Sequence, residues 1–429
     1  MRKHSRLLVY LLGIAVLVLP ALAACTPAAS SPTAAPAATT ASKPATAPTA
    51  ASSAASPAAS TAPYVIGFVN SSSGYMAPMG GQERDAVVML EEKFNKAGGI
   101  NGRPVKIVYY DDESDESKGV MAIKKLINDD KVLGIIGTAA SGIAMAESPI
   151  AEEAQVPFVS MNSSYSILLN PTKKWVFKVA ASEKFLVGGI YRYLKSKGIT
   201  SYAWFNQGAG FGREATKYMQ DTYKAQGFTL TAAEEYGPTD TSMTPQLTKI
   251  KATNPQALVV YGAEAAGAMA IKQARDLGMN IPIVGPPSMT TGAIMNVAEL
   301  RQGMEGSVFV AFKPDMWQQL PDNDPQKKVN QEFAAGMTAK YGANFKGLEW
   351  PMGVGYDAFS IMVNAIKASN PDTSNLPAAR AKVRDALEQT KGYIGSFGML
   401  DQSPTEHEGL SWDSVVMAQI TGGKYQLMK

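Results

Sequence analysis

Serine is the residue type in this chain best placed to hold a small ligand. Ser141 and the Ser163, Ser164 pair fall in one stretch, Val132 to Ser164, reading VLGIIGTAASGIAMAESPIAEEAQVPFVSMNSS. The spacing predicts a buried strand (Val132 to Ile136), a small-residue turn (Gly137 to Gly142) and a helix from about Ile143 to Gln155. A second buried strand (Pro157 to Val159) and a polar turn (Met161 to Ser164) follow. In a parallel α/β sheet both turns lie at the carboxyl edge of neighbouring strands, beside helix amino termini whose free N–H groups attract anions. Hydroxyls and backbone N–H groups there can hold an anion without a buried lysine or arginine. A serine before a helix is also an ordinary N-cap. Two such turns on adjacent strands, followed by a second α/β unit able to close over them, favour a binding edge.

Other chemistries find little support. Cys25 is the only cysteine, and with His4 in the leader His407 is the only histidine of the folded part. That excludes intrachain disulfides, Cys/His zinc sites and a Cys–His dyad. No G-x-S-x-G elbow occurs, and a Ser-His-Asp triad would need His407, which sits in a polar Thr-Glu-His-Glu-Gly loop. Nothing picks out a carboxylate pair for glycoside hydrolysis. Gly353-x-Gly355-x-x-Ala358 follows Trp350-Pro351 rather than a strand, so it reads as a helix start and not as a dinucleotide fingerprint. The chain reads as a non-enzyme with no cofactor and no metal. The acidic run Asp111 to Glu116 fails the EF-hand template at its sixth and twelfth positions, Glu116 and Ala122, and reads as a turn capping the next helix. A net charge of +3, spread without a basic block, gives no support to nucleic acid binding.

The elements that position these serines follow a leader and a tether. Arg2, Lys3 and Arg6 precede an apolar run, Leu7 to Leu19, too short to span a membrane comfortably, and Leu22-Ala23-Ala24-Cys25 is a small-residue cleavage site. This resembles a bacterial lipoprotein signal, residues 1–24, and implies that Cys25 becomes the lipid-modified first residue. The segment 25–63 is almost entirely Ala, Pro, Ser and Thr after Cys25. With little to bury it cannot offset its ordering entropy, so it reads as an extended tether.

From Tyr64 strand and helix patterns alternate. Val65 to Val69 reads as a strand, Asn70 to Gly81 as a Ser/Gly-rich loop and Gln82 to Lys96 as a helix ending at Ala97-Gly98-Gly99. Val105 to Tyr110 and a helix from about Lys118 to Asn128 lead into the serine-bearing stretch. A second series runs from strand Tyr202 to Phe205 through loop Asn206 to Gly212 and helix Arg213 to Gln226, and continues to strand Pro282 to Val284. Helices at Pro325 to Tyr341, Val354 to Ser369 and Ala378 to Thr390 precede a closing hairpin, Ser411 to Ile420 and Lys424 to Met428. The β-α-β order predicts parallel, helix-covered sheets in two similar lobes.

The phrases Phe94-Asn95-Lys96-Ala97-Gly98-Gly99-Ile100-Asn101-Gly102, Tyr110-Asp111-Asp112, Ile135-Ile136-Gly137, Gln273-Ala274-Arg275-Asp276-Leu277-Gly278 and Gly355-Tyr356-Asp357-Ala358 occur in this order. Together they resemble the branched-chain amino acid (Leu/Ile/Val) binding proteins of ABC importers. The resemblance implies a two-lobed type I periplasmic-binding fold with three hinge crossings. Lobe 1 would be 64–181 and 314–391, and lobe 2 would be 182–313 and 392–429. It also implies a monomer, lipid-anchored outside the cytoplasm, that captures a branched-chain or other apolar amino acid and delivers it to permease subunits; an aromatic or aliphatic organic acid or an amide is the alternative ligand. By resemblance Ser141, Ser163 and Ser164 hold the carboxylate, and Met79 and Phe211 stand where aromatic and tyrosine side chains often do. The usual acidic partner of an ammonium falls near Pro287; Glu264, one loop away, is the candidate replacement. Either Glu264 pairs with an ammonium, or the ligand is an organic acid without one, because a buried unpaired ammonium is costly. A sensor feeding no transporter shares the same lobes.

Overall fold

The computed structural model describes residues 62–169 and 172–428. The leader, Cys25 and nearly all of the tether lie outside the described residues. The first sheet consists of β1 (Tyr64–Asn70), β2 (Val105–Asp111), β3 (Gly134–Gly137), β4 (Phe158–Ser160) and β5 (Val176–Lys178), all parallel, in the order β2-β1-β3-β4-β5. Between them run α1 (Ala77–Lys96), α2 (Glu116–Asn128) and α3 (Ser141–Glu153). The inner strands β3 and β4 are buried throughout, as expected of a parallel sheet covered on both faces.

A second sheet follows α4 (Glu183–Ser196). Its strands and connectors are β6 (Ser201–Gln207), α5 (Gly210–Thr222), β7 (Thr229–Tyr236), α6 (Thr244–Ala252), β8 (Ala257–Tyr261), α7 (Glu264–Asp276), β9 (Ile283–Gly285), the short α8 (Gly292–Met295) and α9 (Ala298–Gly303), and β10 (Val308–Phe312). The order β7-β6-β8-β9-β10 repeats that of the first sheet. Each sheet therefore reverses direction once, between β1 and β3 and between β6 and β8. Such a switch point opens a crevice beyond the strands' carboxyl ends.

Three helices, α10 (Pro325–Tyr341), α11 (Trp350–Ser369) and α12 (Leu376–Glu388), then return to the first sheet, where α11 packs on α1, β3 and β4. After a small hairpin, β11 (Tyr393–Ile394) and β12 (Met399–Leu400), the chain adds β13 (Val415–Thr421) antiparallel to β10 and β14 (Lys424–Leu427) antiparallel to β13. Gly422 and Gly423, at φ 59° and 69°, make the tight turn between them.

The chain thus passes between the sheets three times, after β5, after β10 and before β13. The crossings are tied together. Ser182 donates from its backbone N and its Oγ to Glu408, at 2.7 and 2.9 Å, joining the first crossing to the third. Lys313 pairs with Asp324 at 2.7 Å along the second.

Two helix starts differ from expectation. The loop expected over Asn70 to Gly81 is helical from Ala77, and that expected over Asn206 to Gly212 is helical from Gly210. Their glycines serve close approach rather than a loop. A Cβ on Gly80 would lie 2.0 Å from Ser71 O, and one on Gly212 would lie 1.9 Å from Gln207 O. Pro78, in the first turn of α1, lacks only an N–H that has no partner there. Met79 and Phe211 consequently sit on first helical turns. The acidic run caps α2 as expected, with Asp115 accepting from Lys118 N at 3.0 Å.

Candidate functional site

The loops after β1 and β3 are joined before any ligand is considered. Asn70, the last residue of β1, donates from Nδ2 to Gly80 O (2.9 Å) and accepts from Ala139 N (3.1 Å). Asp112, fully buried at the end of β2, accepts from Ser71 Oγ (2.5 Å), Thr138 Oγ1 (2.6 Å) and Ser114 N (2.8 Å). These bonds fix the start of α3, whose first amides have no intrahelical partner.

After β4, Asn162 shapes the second turn. Its Oδ1 accepts from Ser164 N at 2.8 Å, and Lys178 Nζ donates to its backbone O. This turn sends its two serines to different places. Ser163 lines the cavity, while Ser164 is fully buried behind it and donates to Glu214 Oε2 of α5 at 3.2 Å, a bond between the lobes.

The cavity between the two switch points encloses about 270 Å³. Ser141, Ser163 and Asn162 stand on the first lobe's edge, with Met76, Met79 and Met161. Gln207, Phe211, Arg213, Ala263, Pro287 and Ser288 face them from the second. Phe312, Trp350 and Phe397 close the crossing side. A few polar groups set in apolar walls are the usual build of a small-molecule site.

The structure therefore brings together Ser141, Ser163, Met79 and Phe211. The Phe211 ring is held 4.7 Å from that of Tyr261. Ser164 and Glu264 lie behind the wall and do not line it. Glu264 opens α7 with both carboxyl oxygens buried and unpartnered, and burial, aided by Glu349, pushes its pKa up to about 8. The wall after β9 is formed by Pro287 and Ser288, whose hydroxyl donates to Gly262 O at 2.7 Å. His407 does not line the cavity; it stacks on Phe177, ring centroids 4.1 Å apart. Among the described residues no cluster of three or more His, Cys, Asp or Glu is placed to hold a metal ion.

The sequence reading missed Glu83, Arg213 and the rings Trp350, Phe312 and Phe397. For Glu83 a signal existed: it interrupts the apolar face Met79, Ala86, Leu90 of α1, where a lone acid needs a reason. Burial holds its carboxyl well above the usual range, against a hydrogen bond from Asn70 and with Asp112 adding to the rise. Trp350 and Phe397 carry no local signal, because only the fold brings them to the site.

The lobes touch beside the cavity. Gly210 on α5 packs so close to Gly142 on α3 that a Cβ there would lie 2.8 Å from Gly142 N. On the other flank Glu349 accepts from Gly292 N of α8 (2.7 Å) and from Gln82 Nε2 of α1 (2.8 Å). The cleft is closed in this structure, with one latch on either side.

Comparison with known proteins agrees with this architecture. The periplasmic binding protein family model matches residues 63–424. A leucine-, isoleucine-, valine-, threonine- and alanine-binding protein of Pseudomonas aeruginosa is 23% identical over 249 residues, covering 57% of this chain and 65% of its own length. An amino acid binding protein of the same organism is 23% identical over 279 residues, 64% of this chain and 72% of its own. The first curated relatives are thus matched over about three-fifths to two-thirds of their lengths, 61 to 65%. An extracellular ligand-binding receptor from Rhodopseudomonas palustris HaA2 superposes with TM-score 0.78 at 26% identity, over 85% of this chain and 99% of that one. A branched-chain amino acid transporter substrate-binding protein from Streptococcus pneumoniae, solved with isoleucine, gives TM-score 0.71 at 21% identity over 86% and 99%. Two switch-point sheets joined by three crossings, with the family match running almost from β1 to the last strand, establish that this chain belongs to the periplasmic binding protein family and has its type I fold.

Proposed function

We propose that the protein is an extracytoplasmic solute-binding lipoprotein of an ABC importer, which captures a small, apolar, carboxylate-bearing solute between its lobes and delivers it to membrane permease subunits. One observation carries the reading: a cavity of about 270 Å³ has Ser141 and Ser163 on one lobe facing Phe211 on the other. The ligand's carboxylate meets the Ser141 and Ser163 hydroxyls and the free amides that open α3. Its apolar body lies among Met79, Met161, Phe211 and Trp350. Burial of the ligand then couples binding to closure, since the contacts on both lobes are made only when the cleft is shut. Cys25 would carry the lipid, and the Ala/Pro/Ser/Thr tether would hold the receptor off the membrane.

The test is thermal unfolding of the purified protein against aliphatic acids, aromatic acids, amino acids and amides. A ligand that binds only the native state raises the midpoint by mass action. A rise with small apolar carboxylates and none with the matching amides supports the reading; no rise with any carboxylate refutes it.

A further inference from the structure

We propose that the solute carries no ammonium group, and that Glu83 reads it as an uncharged acid donating one hydrogen bond to an oxygen of the ligand. The proposal rests on the carboxylate-receptor reading above and narrows it to acids other than amino acids.

Glu83 is 1% exposed and lines the cavity, with Oε2 buried and lacking a hydrogen-bond partner. Among the described residues its surroundings offer no positive charge. Arg84, its neighbour in sequence, turns to Asp85 at 3.1 Å. Arg213 is the only basic residue among the described cavity lining; its side chain is 68% exposed and faces Glu235 at 4.0 Å. From the end of β2 Asp112 adds negative charge, and Gly355 of α11 packs against the Glu83 backbone, a Cβ there coming 2.6 Å from Glu83 O. The carboxyl is therefore cheapest as the neutral acid, with a proton to donate.

An amino acid would bring an ammonium into this cavity, and no acid on the wall is ready for it. Glu264 stands behind the wall, Pro287 and Ser288 occupy the position after β9, and Glu116 is exposed beside Gly142 at the rim. Pairing with Glu83 would require ionising it next to Asp112. A buried ammonium facing a neutral acid loses its hydration without a countercharge. An oxygen-bearing acid avoids that cost and gives the unpartnered Glu83 Oε2 a hydrogen-bond partner, and the surrounding methionines and rings suit its apolar body.

The experiment is titration calorimetry of the purified protein with matched pairs: leucine against 4-methyl-2-oxopentanoate, and phenylalanine against 3-phenylpyruvate and 3-phenylpropionate. The expected result is binding at least tenfold tighter for the ammonium-free members, with the oxo acid ahead of 3-phenylpropionate. Repetition in buffers of different ionisation enthalpy is expected to show no net proton exchange. Glu83→Gln, which keeps a donor in place, is expected to retain affinity within about threefold, and Glu83→Leu to lose about tenfold. Tighter binding of the amino acids, release of close to one proton per ligand, or loss of binding in a folded Glu83→Gln overturns the proposal. If either variant does not fold, the wild-type ratios and proton count decide alone. Binding of amino acids only sinks this inference and leaves the receptor reading standing; binding of no carboxylate sinks both.

Discussion

Placing a side chain at Gly210 is expected to disfavour closure while leaving the protein folded. A Cβ there would meet Gly142 N at 2.8 Å, Gly142 Cα at 3.0 Å and Met145 Cε at 3.2 Å. Two of these atoms are backbone of α3, anchored in the other lobe, so the contact is relieved most cheaply by parting the lobes. Gly210 is absent from the glycines with positive φ, so alanine or valine suits its own backbone. Overpacking of this kind costs about 1–3 kcal/mol. Because only the closed, liganded state bears that cost, it converts to about 5- to 150-fold weaker binding. Gly210→Ala should sit at the low end and Gly210→Val at the high end. The unliganded protein escapes the clash by opening, and Gly→Ala at a compatible position even adds about 0.4–1 kcal/mol through the unfolded state. Calorimetry with any binding solute, beside unliganded melting curves, measures both. Wild-type affinity in Gly210→Val, or an unliganded midpoint that collapses with it, would refute the reasoning.

Further outcomes follow from the other contacts. Ser164→Ala removes the interlobe bond to Glu214 at 3.2 Å and is expected to weaken binding by about 1 kcal/mol, roughly fivefold; a double-mutant cycle with Glu214→Ala should show the two changes are not additive. Glu349→Ala deletes the latch to Gly292 and should lower affinity for every ligand by a similar factor without altering their rank order. Phe211→Ala strips the second lobe's main apolar contact and is expected to cost about 1–3 kcal/mol of affinity in calorimetry. Stability should fall as pH rises from about 4.5 to about 8. Glu264, at about 8 in the folded protein, holds its proton through that window while the unfolded chain has lost it, so the native state binds more protons. Glu264→Gln should flatten the decline, by at most about 1.4 kcal/mol per pH unit in denaturant titrations.

The strand edges that carry Ser141 and Ser163 were legible because short apolar runs, Ile135-Ile136 and Phe158-Val159, bracket a helical pattern with small residues at its start. Helix starts were not legible at Ala77 and Gly210, since Gly80 and Gly212 look like loop residues until the backbone they touch is known. The different fates of Ser163 and Ser164 depend on the turn held by Asn162 and Lys178, a contact between β4 and β5. Glu264 follows its strand as the sequence suggests, yet its position behind Ala263 comes from the three-dimensional path of α7. The crossing-side rings Trp350 and Phe397 reach the cavity from segments more than a hundred residues beyond the first lobe's strands, a long-range outcome that local pattern does not encode.

The central claim is capture by closure, and the distance between the lobes reports it. Cys25 is the only cysteine of the chain, so a Cys25→Ser background accepts spin labels at Met121→Cys on α2 and Lys217→Cys on α5, both exposed. Pulsed dipolar spectroscopy with and without a solute that raises the unfolding midpoint then reads closure directly. The free protein is expected to give a broad, longer distance distribution that shortens and narrows when the solute binds. A distribution unchanged by a saturating, tightly bound solute would contradict it.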